Sequence, residues 1–286
     1  MIDRAKYRVK PGHAVDLRKH DPAHTSGYRS KASASTKLEK DIAALAAAQD
    51  VLSAQTRHGI LIVFQGMDTA GKDGAIKHVM TGINPQGVHV YAFKQPSDEE
   101  RHHDFLWRSM KVVPERGRIG IFNRSYYEDV IVTRVHPELL SDVSPHTPGT
   151  RFWQHRFEDI VAYERYLTRN GIRILKFFLH ISKEEQARRL IARIDDKDKR
   201  WKFNAADVQQ RTFWAGYTAA YEKMLGATST DHAPWYVIPS DHKWFTRVAV
   251  ADILVDALQS LDLRYPKVTK QGRAILARQK RVLERG

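Results

Sequence analysis

The chain contains no cysteine. That absence excludes a disulfide scaffold, an iron–sulfur cluster, a thiol nucleophile and a zinc site built on thiolates. No apolar run approaches the length of a membrane span. The opening segment, Met1-Ile2-Asp3-Arg4-Ala5-Lys6-Tyr7, has no apolar core of the kind a signal peptide needs. A soluble cytoplasmic protein with no membrane partner is therefore expected. Negative charge is scarce: 33 Asp and Glu stand against 47 Lys and Arg in 286 residues, a formal net charge of +14. An excess of that size calls for a polyanionic partner: nucleic acid, an anionic surface or a phosphate-rich substrate. The hydrophobic share of 42% is too high for a disordered chain. The length suffices for one large α/β domain, or two small ones, with a buried core.

Residues 1–35 are polar, carry Pro11 and Pro22, and lead into a Ser/Lys stretch from Ser26 to Thr36. They read as an irregular arm. Leu38, Ile42, Leu45 and Leu52 recur mostly at helical spacing and predict a helix from about Thr36 to Arg57, ended by Gly59. Ile60-Leu61-Ile62-Val63-Phe64 is a continuous apolar run, the pattern of a strand buried on both faces. Further strands are expected at Val88–Phe93, Arg118–Phe122, Ile172–Ile181 and Trp235–Ile238. Helices are expected near Lys72–Thr81, Asp98–Met110, Tyr126–Val135, Arg151–Arg169, Lys183–Asp195, Ala205–Leu225 and Trp244–Leu261. Strand and helix alternate, which predicts an α/β fold with a parallel sheet and helices on both faces. Trp153, Phe157, Tyr163 and Tyr166 mark an aromatic-rich helix, core by default and an interface otherwise. From Arg264 to Gly286 the tail carries eight cations against Glu284, a net +7. It reads first as a solvated basic helix and second as a grip for a polyanion.

Gly66-Met67-Asp68-Thr69-Ala70-Gly71-Lys72-Asp73-Gly74 follows the first buried strand and precedes a helix. Its core, G-x-x-x-x-G-K, is a phosphate-cradling loop. Glycines let backbone N–H groups turn toward one anion, and the helix N-terminus adds its positive end. Lys72 supplies a mobile charge for the terminal phosphates. The next position normally carries a Ser or Thr hydroxyl for Mg²⁺; here it is Asp73. Asp68 would repel bound phosphates unless it holds a metal, the alternative being a carboxylate that caps a backbone amide.

The strand at Arg118–Phe122 ends in Asn123-Arg124. Phosphate-loop enzymes place an acidic metal ligand at such a strand end. Asn123 stands there without charge, and Glu128 or Asp129 on the following turn can restore the carboxylate. Arg124 is expected to aim at the phosphates. A second reading makes Ser125 and Glu128 a capping box. Farther on, Ser182–Arg193 begins as a helix and turns basic, with Arg189 and Arg193 on one face. The charged connection from Asp195 to Phe203 follows. Downstream of a phosphate loop, this segment reads equally as a solvated charge run or as a lid that excludes water.

Several linked motifs, in order, resemble polyphosphate kinase family 2: G-M-D-T-A-G-K-D-G, N-P-Q-G-V, F-L-W-R, P-E-R-G-R-I-G-I-F-N-R-S-Y-Y-E, K-R-W-K-F, T-S-T and A-P-W-Y-V-I-P-S-D-H-K-W. The likeness runs from Leu38 to Leu261. It implies a thymidylate-kinase-like P-loop fold of three layers with a helical lid. It also implies transfer of the terminal phosphate of inorganic polyphosphate to nucleotides, reversibly, with Mg²⁺ or Mn²⁺. The Asn123 form resembles the third class of the family, which takes both nucleoside mono- and diphosphates. On this reading residues 1–54 are an N-terminal arm and helix packing on the core. Residues 55–263 are the phosphotransferase domain, with a lid near 183–204, and 264–286 are the basic tail.

Carried over by position, Lys72 binds the transferred phosphate, Asp68 and Glu128 bind metal, and Arg124 clamps phosphate beside Asn123. Gly66, Met67, Thr69, Ala70, Gly71, Asp73 and Gly74 form the phosphate and nucleotide cradle, with Arg189 and Arg193 from the lid. A long polyanion also needs a cationic track, for which Lys77, Lys94, Arg116, Arg118 and Arg134 are candidates. The acceptor oxygen is already anionic, so no strong general base is required; the obstacle is bringing two polyanions together. A homo-oligomer, dimer or tetramer, is expected. Three alternatives stand beside this reading: a conventional ATP-dependent nucleotide kinase, a nucleic-acid-binding protein with a vestigial P-loop, and a metal hydrolase using some of the 14 histidines, of which the adjacent His102 and His103 make a poor chelate. The intact Lys72 and the lack of a common nucleic-acid-binding motif weigh against nucleic acid as a partner.

Overall fold

The structure, a computed structural model, describes residues 2–140 and 149–285. Five strands form one parallel sheet: β1 (Gly59–Gly66), β2 (Val88–Ala92), β3 (Ile119–Asn123), β4 (Ile172–His180) and β5 (Trp235–Pro239), in the order β2-β3-β1-β4-β5. All eight residues of β1 are buried. Alternate side chains explain why. Ile60, Ile62 and Phe64 enter one apolar cluster, while Leu61 and Val63 enter the other, on the opposite face. The first face is covered by α1 (Lys31–Gln55), α2 (Lys72–Val79) and, late in the chain, Lys243–Gln259. The second is covered by Glu128–Val135, Thr150–Arg169 and Trp214–Thr228.

In chain order the remaining helices are α3 (Asp98–Arg101), α4 (Trp107–Met110), α5 (Glu128–Val135), α6 (Thr150–Arg169), α7 (Lys183–Asp195), α8 (Ala205–Gln210), α9 (Trp214–Thr228), α10 (Lys243–Gln259) and α11 (Lys270–Leu283). After β1 the chain builds β2 and β3 on one side, then crosses to build β4 and β5 on the other. That reversal opens a crevice over the C-terminal end of β1, the place where sheets of this kind take ligands.

Five strands fall where the sequence pattern puts them, and several helix boundaries differ for local reasons. Helix α1 starts at Lys31 rather than near Thr36, because Ser30 and Ser33 cap each other reciprocally. Its end is Thr56 in the left-handed region; Gly59 already belongs to β1. The expected helix over Asp98–Met110 is broken into α3 and α4. The Asp104 carboxylate accepts from the Leu106 N–H at 2.9 Å and starts a new turn there. The expected Ala205–Leu225 helix is interrupted by a 3₁₀ turn at Arg211–Phe213. Next to it, Gln210 is drawn sideways to His136 and Tyr217.

The arm is irregular but packed. Ile2, Tyr7, Val9 and Leu17 are buried. The Val9 N–H donates to the Trp235 carbonyl and the Val237 N–H to the Tyr7 carbonyl, so the arm covers the free edge of β5. On α6, Trp153, Phe157 and Tyr163 are buried, whereas Tyr166 is 64% exposed, on the outer side of the helix. Helix α11 has no buried residue.

Candidate active site

The phosphate loop leaves β1 at Gly66 and enters α2 at Lys72. Two positions need glycine. Gly71 has φ 105°, which side chains rarely adopt. At Gly66 a Cβ would meet the Leu179 carbonyl oxygen at 2.8 Å. Five successive loop carbonyls are each held by a side chain. Lys72 Nζ donates to Gly66 at 2.8 Å and to Met67 at 3.2 Å, Gln186 Nε2 to Asp68 at 3.0 Å, and Arg189 to Thr69 at 2.9 Å and Ala70 at 3.1 Å. With these carbonyls occupied, the N–H groups at the start of α2, which lack intrahelical partners, remain for an anion. Thr69, at φ 63°, has a buried hydroxyl without a hydrogen-bond partner among the described residues.

Above the loop lies a cleft of about 810 Å³, lined by the loop from Asp68 to Ala75, the ends of β2 and β3, α7 and the first turns of α10. Arg124 enters it from the end of β3 with φ 63°. The strained turn lets its guanidinium bond both Asp68 and Glu128, the latter at 2.7 Å. Glu128 also accepts from Gln65 at 3.0 Å. The capping-box expectation for Ser125 and Glu128 is not met. Ser125 Oγ accepts from the Tyr127 N–H instead, and the Glu128 carboxylate goes to Arg124 and Gln65. A guanidinium outcompetes a backbone amide for a carboxylate.

Burial holds the Lys72 amine down to about 8, with the Arg124 charge adding to the effect. The neighbouring carboxylates, Glu128 first, hold the Arg124 guanidinium firmly charged.

The segment expected as a lid begins with α7, whose Arg189 is 8% exposed. Besides the two loop carbonyls, Arg189 donates to those of Ser240 and Asp241 and pairs with Glu185 at 2.8 Å. It fastens loop, α7 and the β5–α10 turn together. Arg193 reaches the cleft and pairs with Asp207 at 3.1 Å. Of the five track candidates, the structure brings only Lys94 to the cleft. Arg116 and Arg118 precede β3, so parallel topology puts them at the opposite end of the sheet, where they bond the carbonyls of Asn170 and Gln86. Arg134 lies over the Trp153 ring in a separate groove beside α6. Lys77 is exposed on α2 and does not line the cleft.

Sequence reasoning passed over Arg188, Lys199, Lys243 and Arg247, all of which line the cleft. Lys243 and Arg247 are four apart on α10, a spacing that places both on one helical face. Burial lowers both of their pKa values. The signal was in the sequence, in the D-H-K-W-F-T-R run after β5.

Among the described residues no three His, Asp or Glu side chains are gathered as a ready-made metal site. The oxygen donors of Asp68 and Glu128, on either side of Arg124, suit a hard divalent cation that keeps waters and takes its other ligands from phosphates. No helix among the described residues is long and apolar enough to cross a membrane.

Comparison with known proteins agrees with this geometry. Residues 28–266 match the family described as polyphosphate kinase 2. The "ADP-polyphosphate phosphotransferase" of Rhodopseudomonas palustris is 45% identical over 285 residues, covering 99% of both chains. The "AMP/ADP-polyphosphate phosphotransferase" of Meiothermus ruber is 43% identical, covering 92% of this chain and 95% of its own. The crystal structure of polyphosphate kinase 2 from Arthrobacter aurescens TC1 superimposes with a TM-score of 0.86 at 40% identity, covering 96% of this chain and 95% of that one. A phosphate loop under a cationic cleft, on a parallel sheet of matching topology, thus comes with sequence likeness along nearly the whole chain, and the protein belongs to the polyphosphate kinase 2 family.

Proposed function

We propose that this chain transfers the terminal phosphate of inorganic polyphosphate to ADP, and to AMP as a second acceptor, in a reversible reaction. The observation that carries the reading is the cleft itself. Nine Lys and Arg side chains line it against four carboxylates, over an intact phosphate loop. A surplus of that kind suits two polyanions meeting better than one nucleotide alone. The two similar relatives divide on the acceptor, one an ADP-polyphosphate and the other an AMP/ADP-polyphosphate phosphotransferase. The uncharged Asn123 favours the broader acceptor range.

In the reaction Lys72 leaves the carbonyls of Gly66 and Met67 and follows the transferred phosphoryl group. Arg124 exchanges Asp68 and Glu128 for phosphate oxygens, which frees those carboxylates. Asp68 and Glu128 would then hold Mg²⁺ or Mn²⁺, whose charge offsets the repulsion between donor and acceptor. Arg193 closes from the lid side, and Arg189 keeps the loop in shape. Lys94, Arg188, Lys243 and Arg247 line the path along which polyphosphate leaves the loop. The acceptor oxygen needs no base because it is already ionised.

The test is direct. Purified protein, Mg²⁺ and long-chain polyphosphate are mixed with ADP or AMP, and nucleotides are resolved by chromatography. ATP formed from ADP supports the reading. Products from AMP that vanish when polyphosphate is omitted extend it to the monophosphate. No product from either acceptor, with turnover of ATP toward another acceptor, sinks it in favour of an ordinary kinase.

A further inference from the structure

The sequence breaks the usual phosphate-loop pattern twice: Asp73 stands where a hydroxyl is normal, and Asn123 where a carboxylate is normal. Fifty residues apart in the chain, the two touch. Asn123 Nδ2 donates to Asp73 Oδ1 at 2.7 Å. Both side chains line the cleft. Among the four carboxylates that do so, Asp68, Glu185 and Asp207 each pair with an arginine. Asp73 has no cationic partner within ion-pair distance among the described residues; its hydrogen bond is to the amide.

We propose that Asp73 is a positioning residue for Asn123, and that the pair carries a single negative charge shared between loop and strand end beside the reacting phosphates. An ionised carboxylate only accepts hydrogen bonds, so Asp73 selects the NH₂ end of the amide. The amide oxygen of Asn123 is thereby turned away from Asp73 and fixed as an uncharged acceptor. Where other P-loop enzymes put the charge on the strand and a neutral hydroxyl on the helix, this chain puts the charge on the helix and a neutral amide on the strand. The two departures compensate each other. A carboxylate at both positions would set two like charges at hydrogen-bond distance, which raises the pKa of one of them. The pair would then trap a proton or repel the acceptor phosphate.

The inference rests on the transfer reaction proposed above only for its kinetic readout; the pairing is also read in the ligand-free protein. Four proteins decide it: the native chain, Asn123→Asp, Asp73→Asn and the swap Asp73→Asn/Asn123→Asp. Melting temperatures are measured without ligand, and kcat/KM for ADP with polyphosphate is measured at about pH 7.5 and about pH 5.5. Asn123→Asp is expected to lower both the melting temperature and kcat/KM, the latter about tenfold at the higher pH. Its deficit relative to the native chain shrinks at the lower pH, where a proton bridges the two carboxylates. The swap restores the hydrogen bond with donor and acceptor exchanged, and brings both readouts to within about threefold and a degree or so of native. Additive melting shifts in the swap overturn the pairing even if the enzyme proves to have another activity. A kinetic deficit in Asn123→Asp that is equal at both pH values and survives in the swap overturns the single-charge argument.

Discussion

Lys176 lies in the middle of β4 with no exposed side chain, and its Nζ donates to Glu164 at 2.6 Å, to the Tyr127 hydroxyl at 2.9 Å and to the Thr228 carbonyl at 2.8 Å. Glu164, equally buried, accepts in addition from the Tyr126 and Tyr127 hydroxyls, both at 2.8 Å. The network fastens the turn that carries Arg124 and Glu128 to α6, β4 and α9. Lys176→Met keeps the length and removes the charge. It leaves a carboxylate with two neutral donors in a dry core, at a cost of about 3–5 kcal/mol. For a chain of this length, with about 2.1 cal/mol/K of unfolding entropy per residue, that is a fall in Tm of about 5–8 °C. Lys176→Met/Glu164→Gln removes both charges and recovers most of the loss, since a neutral pair has little desolvation cost to repay. Calorimetry at neutral pH gives both shifts. Turnover should fall with the single variant and return with the double, because Tyr127 sits one residue before Glu128. A single variant within about 2 °C of native, or a double variant no more stable than the single, would refute the argument that the network is held by charge compensation.

Other outcomes follow from the site. Lys72→Ala or Asp68→Ala lowers transfer by at least about a hundredfold and leaves the circular dichroism spectrum unchanged; full activity in either removes the assignment. The depressed Lys72 amine is charged below its folded pKa of about 8 and neutral above it, so kcat/KM for polyphosphate falls as pH rises through that value. By the same sign, the ligand-free protein gains relative stability between about 8 and 10.5, where only the unfolded chain still binds the proton. A rate constant flat through pH 9 refutes the assignment. Lys243→Ala/Arg247→Ala raises KM for long polyphosphate several-fold, whereas Arg116→Ala and Arg118→Ala, at the far end of the sheet, leave it unchanged; the reverse result displaces the proposed path.

The scaffold was legible because its signals are local. Five buried strands announce themselves as apolar runs, and the phosphate loop is a contiguous motif whose chemistry depends on its order. The Asp104 turn that divides α3 from α4 was less visible, since an Asp inside a helical pattern reads as tolerated until its carboxylate is seen taking the Leu106 N–H. What the sequence could not show was which end of the sheet a residue faces. Arg118 is five residues from Asn123, yet one precedes β3 and the other ends it, so they lie on opposite edges. Counting cations along the chain therefore does not separate sheet-bottom arginines from those that reach the cleft. Lys243 and Arg247 lie far along the chain from the loop but reach the same cleft. Arg189 shows a different limit. Its basic character suggests a phosphate ligand, and only the fold reveals that in the free protein its donors are taken by four carbonyls and Glu185.

Such pairing bears on how a polyanion binds. Nine cations line the cleft, but in the ligand-free protein Arg124 is held by Asp68 and Glu128, Arg188 and Arg189 by Glu185, Arg193 by Asp207, and Lys199 by Asp196. Lys72 is folded onto the loop carbonyls. Lys94, Lys243 and Arg247 have no carboxylate within ion-pair distance among the described residues. Binding by a paired cation exchanges one anionic partner for another and leaves the carboxylate to recruit a counterion. Only the unpaired cations contribute in full to counterion release from the polyanion. With about 0.7 released ion per contact on a single strand, three free cations give a slope of log K against log salt of about −2, while nine would give about −6. Titrating fluorescent long-chain polyphosphate at several salt concentrations, without nucleotide, measures that slope. A value near −2 means that the carboxylate-held cations add no net release and that the free cations set the salt dependence of capture. A value near −6 means that all nine cations release counterions as if none were paired, and the picture of Arg124 held in reserve for the reacting phosphates is wrong.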